Sequence, residues 1–311
     1  MKFFIVTPSF NQLDWLKLCI ASVADQVGHD KTDPDMPNSF PKASPLIVHH
    51  HIQDGGSNDG TKEFLAEHAS EIDDYIQKRG LTNYFFSFNS CPDKGMYDAV
   101  NRGWTGADRD TDVFAYLNCD EQYLPNTLKI VNQYFSLHSK ADFVFGDALI
   151  TRPDGTLISF RKAYTARWQY ISASHLYLLS CTLFFRRRII DDNYLFNSAL
   201  KTISDADFVI RILKNAYQPA HIRNFLSTFT FTGKNLSTKE IALKERIGAA
   251  QQRAWHLRCL DPLFNISRLV EKALSGAYFA RKPIKYSVFT YSDVLKRKQF
   301  IAEKASFLWP S

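Results

Sequence analysis

Residues 113–121 read Val-Phe-Ala-Tyr-Leu-Asn-Cys-Asp-Glu, an apolar run that breaks abruptly into two carboxylates. A run that short reads as a buried strand, and acids at its carboxyl end put charge at the rim of a sheet, outside its core. The arrangement recurs along the first half of the chain. Lys2–Thr7, cut by Pro8, leads into Ser9-Phe10-Asn11. Leu46–Ile52 leads into Asp54-Gly55-Gly56-Ser57-Asn58-Asp59-Gly60, and Tyr84–Phe88 precedes Asp93-Lys94-Gly95. Helical stretches lie between. Leu13, Leu16, Ile20, Val23 and Val27 recur at spacings of 3 and 4, a helical stripe. Thr61–Ala69 and Gly95–Trp104 read as helices, as does Leu124–Leu137 with Pro125 in its first turn. Phe143–Phe145 and Leu149–Ile150 read as strands parted by Gly146-Asp147. Strand and helix alternate, which predicts an α/β fold: a mixed, mostly parallel central sheet flanked by helices. Ligands of such sheets bind beyond the carboxyl ends of the strands. The polar clusters 7–11, 54–59, 93–98 and 118–121 all fall there.

The chain has 311 residues, 38 Lys and Arg against 32 Asp and Glu, and a formal net charge of +6. With 45% apolar residues it is neither disordered nor low in complexity. The charge is uneven: residues 253–311 carry +7 and residues 1–252 carry −1. A nucleic-acid partner is excluded on this ground, because such proteins spread or stripe positive charge over the domain. The cysteines, 5 in number, are widely spaced and never CxxC. That excludes a disulfide framework and a zinc ribbon, and fits a reducing, cytoplasmic compartment. The N-terminal apolar run lacks the length and cleavage site of a signal peptide. Trp168–Phe185 has no formal charge and is long enough to span a bilayer. Gln169, His175 and its hydroxyls lower its hydropathy, so it reads as a loop followed by a buried strand, Leu178–Phe185. Residues 28–45, with four Pro, form a long polar loop.

Asp120 and Glu121 at a strand end suit a hard divalent cation that retains water and takes phosphate oxygens. They equally suit an Asx turn capping the next helix. The glycines of Asp54–Gly60 let backbone approach a ligand closely. The segment is neither GxGxxG nor a P-loop, and it also reads as a plain turn. Asp205 and Asp207 open a helix-like run, as caps or as a general base.

Taken in order, VTPSFNQ (6–12), DGGSNDGT (54–61), DKGMYDAVNRG (93–103), NCDE (118–121), SCTLFF (180–185) and SDADFVIRIL (204–213) resemble a family 2 glycosyltransferase of the GT-A fold. The resemblance covers at least residues 1–235 and implies a catalytic domain there, with 236–311 a basic C-terminal helical extension. It implies an inverting enzyme using a nucleotide-sugar donor. Thr7, Pro8, Ser9, Phe10 and Asn11 then hold the nucleotide, with Phe10 stacking on the base. Asp54 contacts the nucleobase, with Ser57 nearby, and Asp93 contacts the donor alongside Lys94, Gly95 and Asp98. Asn101 and Arg102 read equally as helix surface. The metal motif falls on Asn118-Cys119-Asp120, where Asn replaces the first Asp. Asp120 and Glu121 become the ligands of Mg²⁺ or Mn²⁺. The catalytic base is Asp205, six residues before Arg211, with Asp207 the runner-up. Thr182 and His175 fall on the acceptor side, where Ser180-Cys181 departs from the family pattern.

The implied acceptor is a saccharide or lipid-linked saccharide hydroxyl, in surface-polysaccharide assembly with a hexosyl or N-acetylhexosaminyl donor, UDP-linked. The competing reading is a degenerate GT-A protein that binds nucleotide-sugars without turnover, motivated by Asn118 and Ser180-Cys181. In the tail, Ile266, Leu269, Val270, Ala273, Leu274, Ala277 and Tyr278 form one helical stripe, with Arg268, Lys272, Arg281, Lys282 and Lys285 off it. Residues 262–285 therefore either rest on an anionic inner-membrane leaflet or pack on the catalytic domain or a partner.

Overall fold

The computed structural model describes residues 1–27, 45–79, 83–233 and 240–310, with the side chains of 72–79 set aside. The predicted loop 28–45 lies outside the described residues except for Pro45. In chain order the elements are β1 (Lys2–Ser9), α1 (Leu13–Ala24), β2 (Ile47–Asp54), α2 (Thr61–Arg79), β3 (Tyr84–Ser90), α3 (Met96–Thr105), β4 (Val113–Tyr116), β5 (Glu121–Tyr123), α4 (Thr127–Leu137), β6 (Phe143–Thr151), β7 (Leu157–Arg161) and α5 (Trp168–Ala173). They continue with β8 (Phe184–Arg186), α6 (Arg187–Asp191), α7 (Ser204–Lys214), β9 (Pro219–Thr230), α8 (Glu240–Gln251), α9 (Trp255–Cys259), α10 (Asp261–Leu274), β10 (Ile284–Thr290) and β11 (Asp293–Ala302).

One sheet has the order β3-β2-β1-β4-β8-β6-β9-β5, with β7 paired to β6. β3, β2, β1 and β4 run parallel, as do β6 and β9. β8 is antiparallel to both its neighbours, β5 to β9 and β7 to β6. The sheet is thus mixed, with helices packed on it. Its strand order reverses beside β1, with β2 on one side and β4 on the other, so a crevice opens past their carboxyl ends.

Several predicted boundaries shift for identifiable reasons. β1 runs through Pro8 to Ser9. Val6 C=O accepts the Leu117 N–H, so Pro8, of the same parity, turns its missing N–H toward the side where pairing with β4 has already ended. Gly146 and Asp147 lie inside a continuous β6, where the Asp147 carboxylate accepts the Ala163 N–H and bonds His221 Nε2, both at 2.9 Å. α4 begins at Thr127 because Glu121–Tyr123 is drawn into the sheet against β9. Within Leu178–Phe185 only the end is strand, and Ser180–Thr182 is a single 3-10 turn. Among the described residues no helix is long and apolar enough to cross a membrane.

The C-terminal segment is part helix and part hairpin, whereas the sequence reading had it helical throughout. β10, buried at every residue but Lys285, pairs with β11, and its Ile284, Tyr286 and Val288 join Leu124, Leu149 and Phe160 in one apolar cluster. Arg297 of β11 pairs with Asp25 at 2.6 Å and donates to the Tyr123 carbonyl. Residues on both sides of the expected boundary at 235 therefore share a core. α10 ends at Leu274, short of the predicted stripe. It packs through Glu271 and Asn265 on α5, and its apolar stripe faces solvent.

Beneath the crevice, the aromatic content gathers around Trp104. Its ring stacks on Phe196 at 5.0 Å and meets Phe114, Tyr116 and Phe185 edge-on. Removing such a ring costs about 3–5 kcal/mol. The same knot seats Tyr97, which packs on Phe196 at 5.1 Å and holds a catalytic candidate, as follows.

Candidate active site

Three strand ends meet at the crevice. A Cβ placed on Gly55, after β2, would lie 3.0 Å from Asp93 Oδ2 and 3.3 Å from the Phe10 ring. Glycine there lets residues predicted from three separate motifs touch. Phe10 is 59% exposed at the end of β1, an aromatic face presented to solvent. Asp93 accepts the Gly95 N–H at 2.7 Å. Gly95 has φ +114°, a conformation that favours glycine, so the loop turns directly into α3.

The neighbouring carboxylates are held by their own loops. Asp54 is fully buried and accepts from the N–H groups of Gly56 and Ser57 and the hydroxyls of Ser57 and Ser90. Asp59 accepts the Leu13 N–H at 3.0 Å and the Thr61 N–H at 3.2 Å, capping α1 and α2 with one side chain. Burial would raise the Asp59 carboxyl, but bonds from Thr61 and Leu13 outweigh it and hold it below its ordinary value. Asn11, at φ +51°, accepts the Asn58 N–H on its side chain and donates its own N–H to the Ser57 hydroxyl oxygen. Lys94 N–H and Arg102 both go to Asp98. Asn101 clasps Phe196 through the backbone N–H and C=O, so it is a structural clamp.

Some predicted donor residues are turned inward. Thr7 Oγ1 bonds His50 Nε2 at 2.9 Å in the core, and Cys119 directs its thiol to the Pro8 carbonyl. These two, and the buried Pro8 and Ser9, shape the crevice wall through backbone.

Asp120 follows β4 at the crevice, and the neighbouring Asn118 has a buried Oδ1 with no hydrogen-bond partner. Among the described residues no group of three His, Cys, Asp or Glu side chains is placed to hold an ion. An Asp carboxylate plus an unsatisfied amide oxygen fits a hard cation that draws its remaining oxygens from a diphosphate and water. Glu121 is fully buried and accepts the Asn118 N–H at 2.8 Å and the Ser180 hydroxyl at 3.3 Å. Burial, then the Asp120 charge, pushes its carboxyl up to about 8.

Asp205 and Asp207 open α7 but differ in environment. Asp207 is paired with Arg211 at 2.8 Å, and Arg211 also donates to the Leu195 carbonyl. Asp205 has no ion pair among the described residues. It accepts the Tyr97 hydroxyl at 3.2 Å and the Ala206 N–H at 2.8 Å. Burial pushes the Asp205 carboxyl up, against the pull of those two bonds. Part of it still reaches a cavity of about 1240 Å³, which His175, Ser180 and Asp207 also line. Thr182 is fully buried and donates to the Leu179 carbonyl, closing the 3-10 turn. Ser174 Oγ bonds His175 Nδ1 at 2.7 Å.

Four contributors escaped the sequence reading. Glu245 of α8 accepts from the N–H groups of Lys201 and Thr202 and from the Thr202 hydroxyl, fixing the approach to Asp205. Lys201 donates to the Lys94 carbonyl at 2.6 Å and so joins the loop before α7 to the loop before α3. Tyr97 lay inside a recognised motif, but its link to Asp205 spans 108 residues. Tyr291, in the β10–β11 turn, packs on Trp15 at 4.8 Å. Burial raises its hydroxyl, with the Asp14 and Asp120 charges adding to the effect. No local pattern announces such contacts.

A family model described as glycosyl transferase family 2 matches residues 4–194. No curated protein matches the sequence. Among solved structures, S. aureus TarS is 16% identical, with a TM-score of 0.53 over 97% of this chain and 60% of that one. S. aureus TarS 1–349 in complex with UDP-GlcNAc is 14% identical, with a TM-score of 0.53 over 98% of this chain and 100% of that one. The same fragment in complex with UDP is 15% identical, with a TM-score of 0.51 and the same coverage. The chain thus spans 60% of the longer TarS chain. At these identities the likeness shows the fold.

Proposed function

The chain belongs to glycosyl transferase family 2, and from that premise we propose an inverting glycosyltransferase that moves a sugar from a UDP-sugar to a saccharide or lipid-linked saccharide hydroxyl. The observation that carries this reading is Asp205: a carboxylate with no ion pair among the described residues, hydrogen-bonded to Tyr97 and facing a cavity of about 1240 Å³. The UDP and UDP-GlcNAc complexes of TarS 1–349 support the nucleotide, and an N-acetylhexosaminyl donor ahead of a hexosyl one. The place of the reaction is surface-polysaccharide assembly on the cytoplasmic side.

In this reading Phe10 stacks on the base, with Asp54 ordering the loop beneath it. Asp93, Lys94 and Gly95 flank the sugar diphosphate. Asp120 and the Asn118 amide oxygen hold Mg²⁺ or Mn²⁺, with Glu121 positioning Asn118. A bound cation supplies charge neutralisation for the departing diphosphate. Asp205 takes the proton of the acceptor hydroxyl as that oxygen attacks the anomeric carbon, and its raised carboxyl makes it a stronger base. Attack opposite the leaving group inverts the anomeric centre. His175 shapes the acceptor wall, Thr182 closes the turn behind Ser180 without reaching the cavity, and Asp207, neutralised by Arg211, supports the helix.

Nucleotide release from a panel of UDP- and GDP-sugars, with and without Mn²⁺, tests the assignment. Metal-stimulated release from one UDP-sugar is expected. Donor binding without release under any condition would favour the non-catalytic alternative.

The exposed stripe of α10 supports peripheral contact with an anionic leaflet. Ile266, Val270 and Leu274 are 61%, 52% and 84% exposed, and Arg281, Lys282 and Lys285 are exposed just beyond. Pelleting with phosphatidylglycerol vesicles should be abolished by Ile266→Glu with Leu274→Glu. Failure of the unaltered protein to pellet at low salt would remove this part of the proposal.

A further inference from the structure

β2 carries three consecutive histidines, His49–His51, outside both the crevice and the Asp205 cavity. The pleat of the strand divides them. His50 turns into the core, where its Nε2 bonds Thr7 Oγ1. His49 and His51 turn to the opposite face. There His49 Nε2 lies 2.7 Å and His51 Nδ1 2.8 Å from the same atom, Ser87 Oγ. The register places it: Ser87 of β3 pairs directly with His51. All three side chains line a cavity of about 500 Å³ that Arg102, Gly103 and Gly106, at the carboxyl end of α3, also border. A Cβ on Gly103 would overlap Val6 and stand 3.3 Å from the His51 ring, so glycine there seats α3 on the sheet beside the imidazole.

A serine hydroxyl has one proton, so Ser87 donates to one ring and the other ring donates to it. Two imidazole nitrogens converging on one point, from a His-x-His pair on a strand, are donors that a borderline divalent ion takes. The surroundings favour a cation. Asp108 Oδ2 lies 3.6 Å from His49 Nδ1. A carboxylate behind an imidazole holds a ligating ring with its proton on the far nitrogen. The nearby Lys2 ammonium is shared by Asp108 at 2.8 Å and Asp110 at 2.7 Å, so it is answered twice. The cavity borders the last turn of α3, the negative end of that helix. Arg102 in that turn is drawn to Asp98 at 2.8 Å. Burial, ahead of every charge effect, holds both imidazoles below their ordinary value, so they are neutral at pH 7.

We propose that His49 Nε2 and His51 Nδ1 form a binding site for a borderline divalent transition-metal ion such as Zn²⁺ or Ni²⁺, with the Ser87 hydroxyl and cavity water as the remaining ligands. The ion replaces the two imidazole contacts to Ser87. His49 keeps its proton on Nδ1, toward Asp108. His51 carries its proton on Nε2, so both rings bind as neutral ligands. Nitrogen ligands set this site apart from the oxygen site proposed at Asp120, which suits Mg²⁺ or Mn²⁺. The site does not rest on the glycosyltransferase reading.

The test is a calorimetric titration of the full chain with Ni²⁺ and with Zn²⁺, in excess Mg²⁺ and UDP so that an oxygen site is already filled. One saturable site for each ion is expected despite the Mg²⁺. Asp108→Asn should weaken it about 10- to 100-fold, the usual worth of a carboxylate behind a ligating histidine. His49→Gln and His51→Gln should each weaken it at least as much. UDP affinity should stay within about twofold in all three variants, which also reports that they have folded. Electron paramagnetic resonance of the unaltered protein loaded with Cu²⁺ should show two imidazole nitrogens coupled to the copper, and one in His49→Gln. The spectrum of the unaltered protein decides the matter even where a variant folds poorly. Absence of a saturable site for both ions, affinity unchanged in either histidine variant, or a copper spectrum without two imidazole nitrogens overturns the inference. Affinity unchanged in Asp108→Asn alone overturns the role given to that carboxylate.

Discussion

The crevice proposed for the donor and the cavity proposed for the acceptor handle charge in opposite ways. At the crevice, Asp54, Asp59, Asp93 and Asp98 are answered by N–H groups and hydroxyls of the loops at the strand ends. Around the cavity, Asp205 comes from an element distant in sequence and has no ion pair among the described residues, with only the more remote Arg246 charge acting on it. The first arrangement is preorganised: its carboxylates hold loops rigid so that Phe10 and the backbone present a fixed face. The second leaves its carboxylate facing open space. The comparison teaches that a carboxylate at a strand end is not by itself a reactive group, and that the unanswered ones deserve the chemical roles.

The strongest challenge to this contrast is the pair on α7. Asp205→Asn should lower turnover about 10²–10⁴-fold, the usual worth of a general base, with UDP affinity retained. Asp207→Asn should lose much less, because that charge is already spent on Arg211. Steady-state nucleotide release on both variants checks this, and equal losses would erase the distinction between answered and unanswered carboxylates. Asp205→Asn also has a stability consequence. A carboxyl raised in the folded state stabilises the fold at low pH, and that contribution is lost as pH rises through the raised value. The asparagine variant should therefore melt higher at neutral pH and lose this advantage in acid.

On the donor side the effects are smaller. Phe10→Ala should weaken UDP binding about 2- to 10-fold, the worth of one aromatic stack, with little change in kcat. Gly55→Ala should weaken it as well, since its methyl group would press Asp93 and Phe10 apart. UDP titration of the two variants sharpens the claim that preorganisation, and not Phe10 contact alone, gives the affinity: Gly55→Ala matching the unaltered protein would argue that the loop is compliant. The smallest effect is on pH. As the proposed base Asp205 would have to be ionised, and Tyr97 opposes the upward push of burial. Tyr97→Phe should move the acid limb of the kcat profile to higher pH. A limb that stays in place would mean that the Tyr97 hydroxyl does not face the base during turnover.

Much of the crevice was legible because many of its bonds are local. Asp54 with Gly56 and Ser57, Asp59 with Thr61, and Asp93 with Gly95 bond within a few residues, so their spacing in sequence is their geometry in space, whereas the bonds to Ser90, Leu13 and Asn11 cross between loops. Local reading failed where long-range pairing competes with it. Glu121–Tyr123 reads as the approach to a helix but is claimed by β9, and Gly146-Asp147 reads as a turn but is carried through β6 by His221 and Ala163. Glu245 and Arg297 look like ordinary charges of a basic tail. Their roles depend on Thr202 and Asp25, which lie 43 and 272 residues away.

Composition and order in the sequence thus determined the strand–helix alternation, the placing of carboxylates at one end of the sheet, and the surplus of positive charge after residue 252. The period of a strand or helix is a local property, and those conclusions need no more than that. Tertiary structure alone decided which carboxylate has no ion pair among the described residues, which face of α10 meets solvent, and how the tail joins the core of the sheet. Each of these is a matter of proximity between segments remote in sequence, and electrostatic energy depends on that distance and on burial, neither of which a one-dimensional pattern contains.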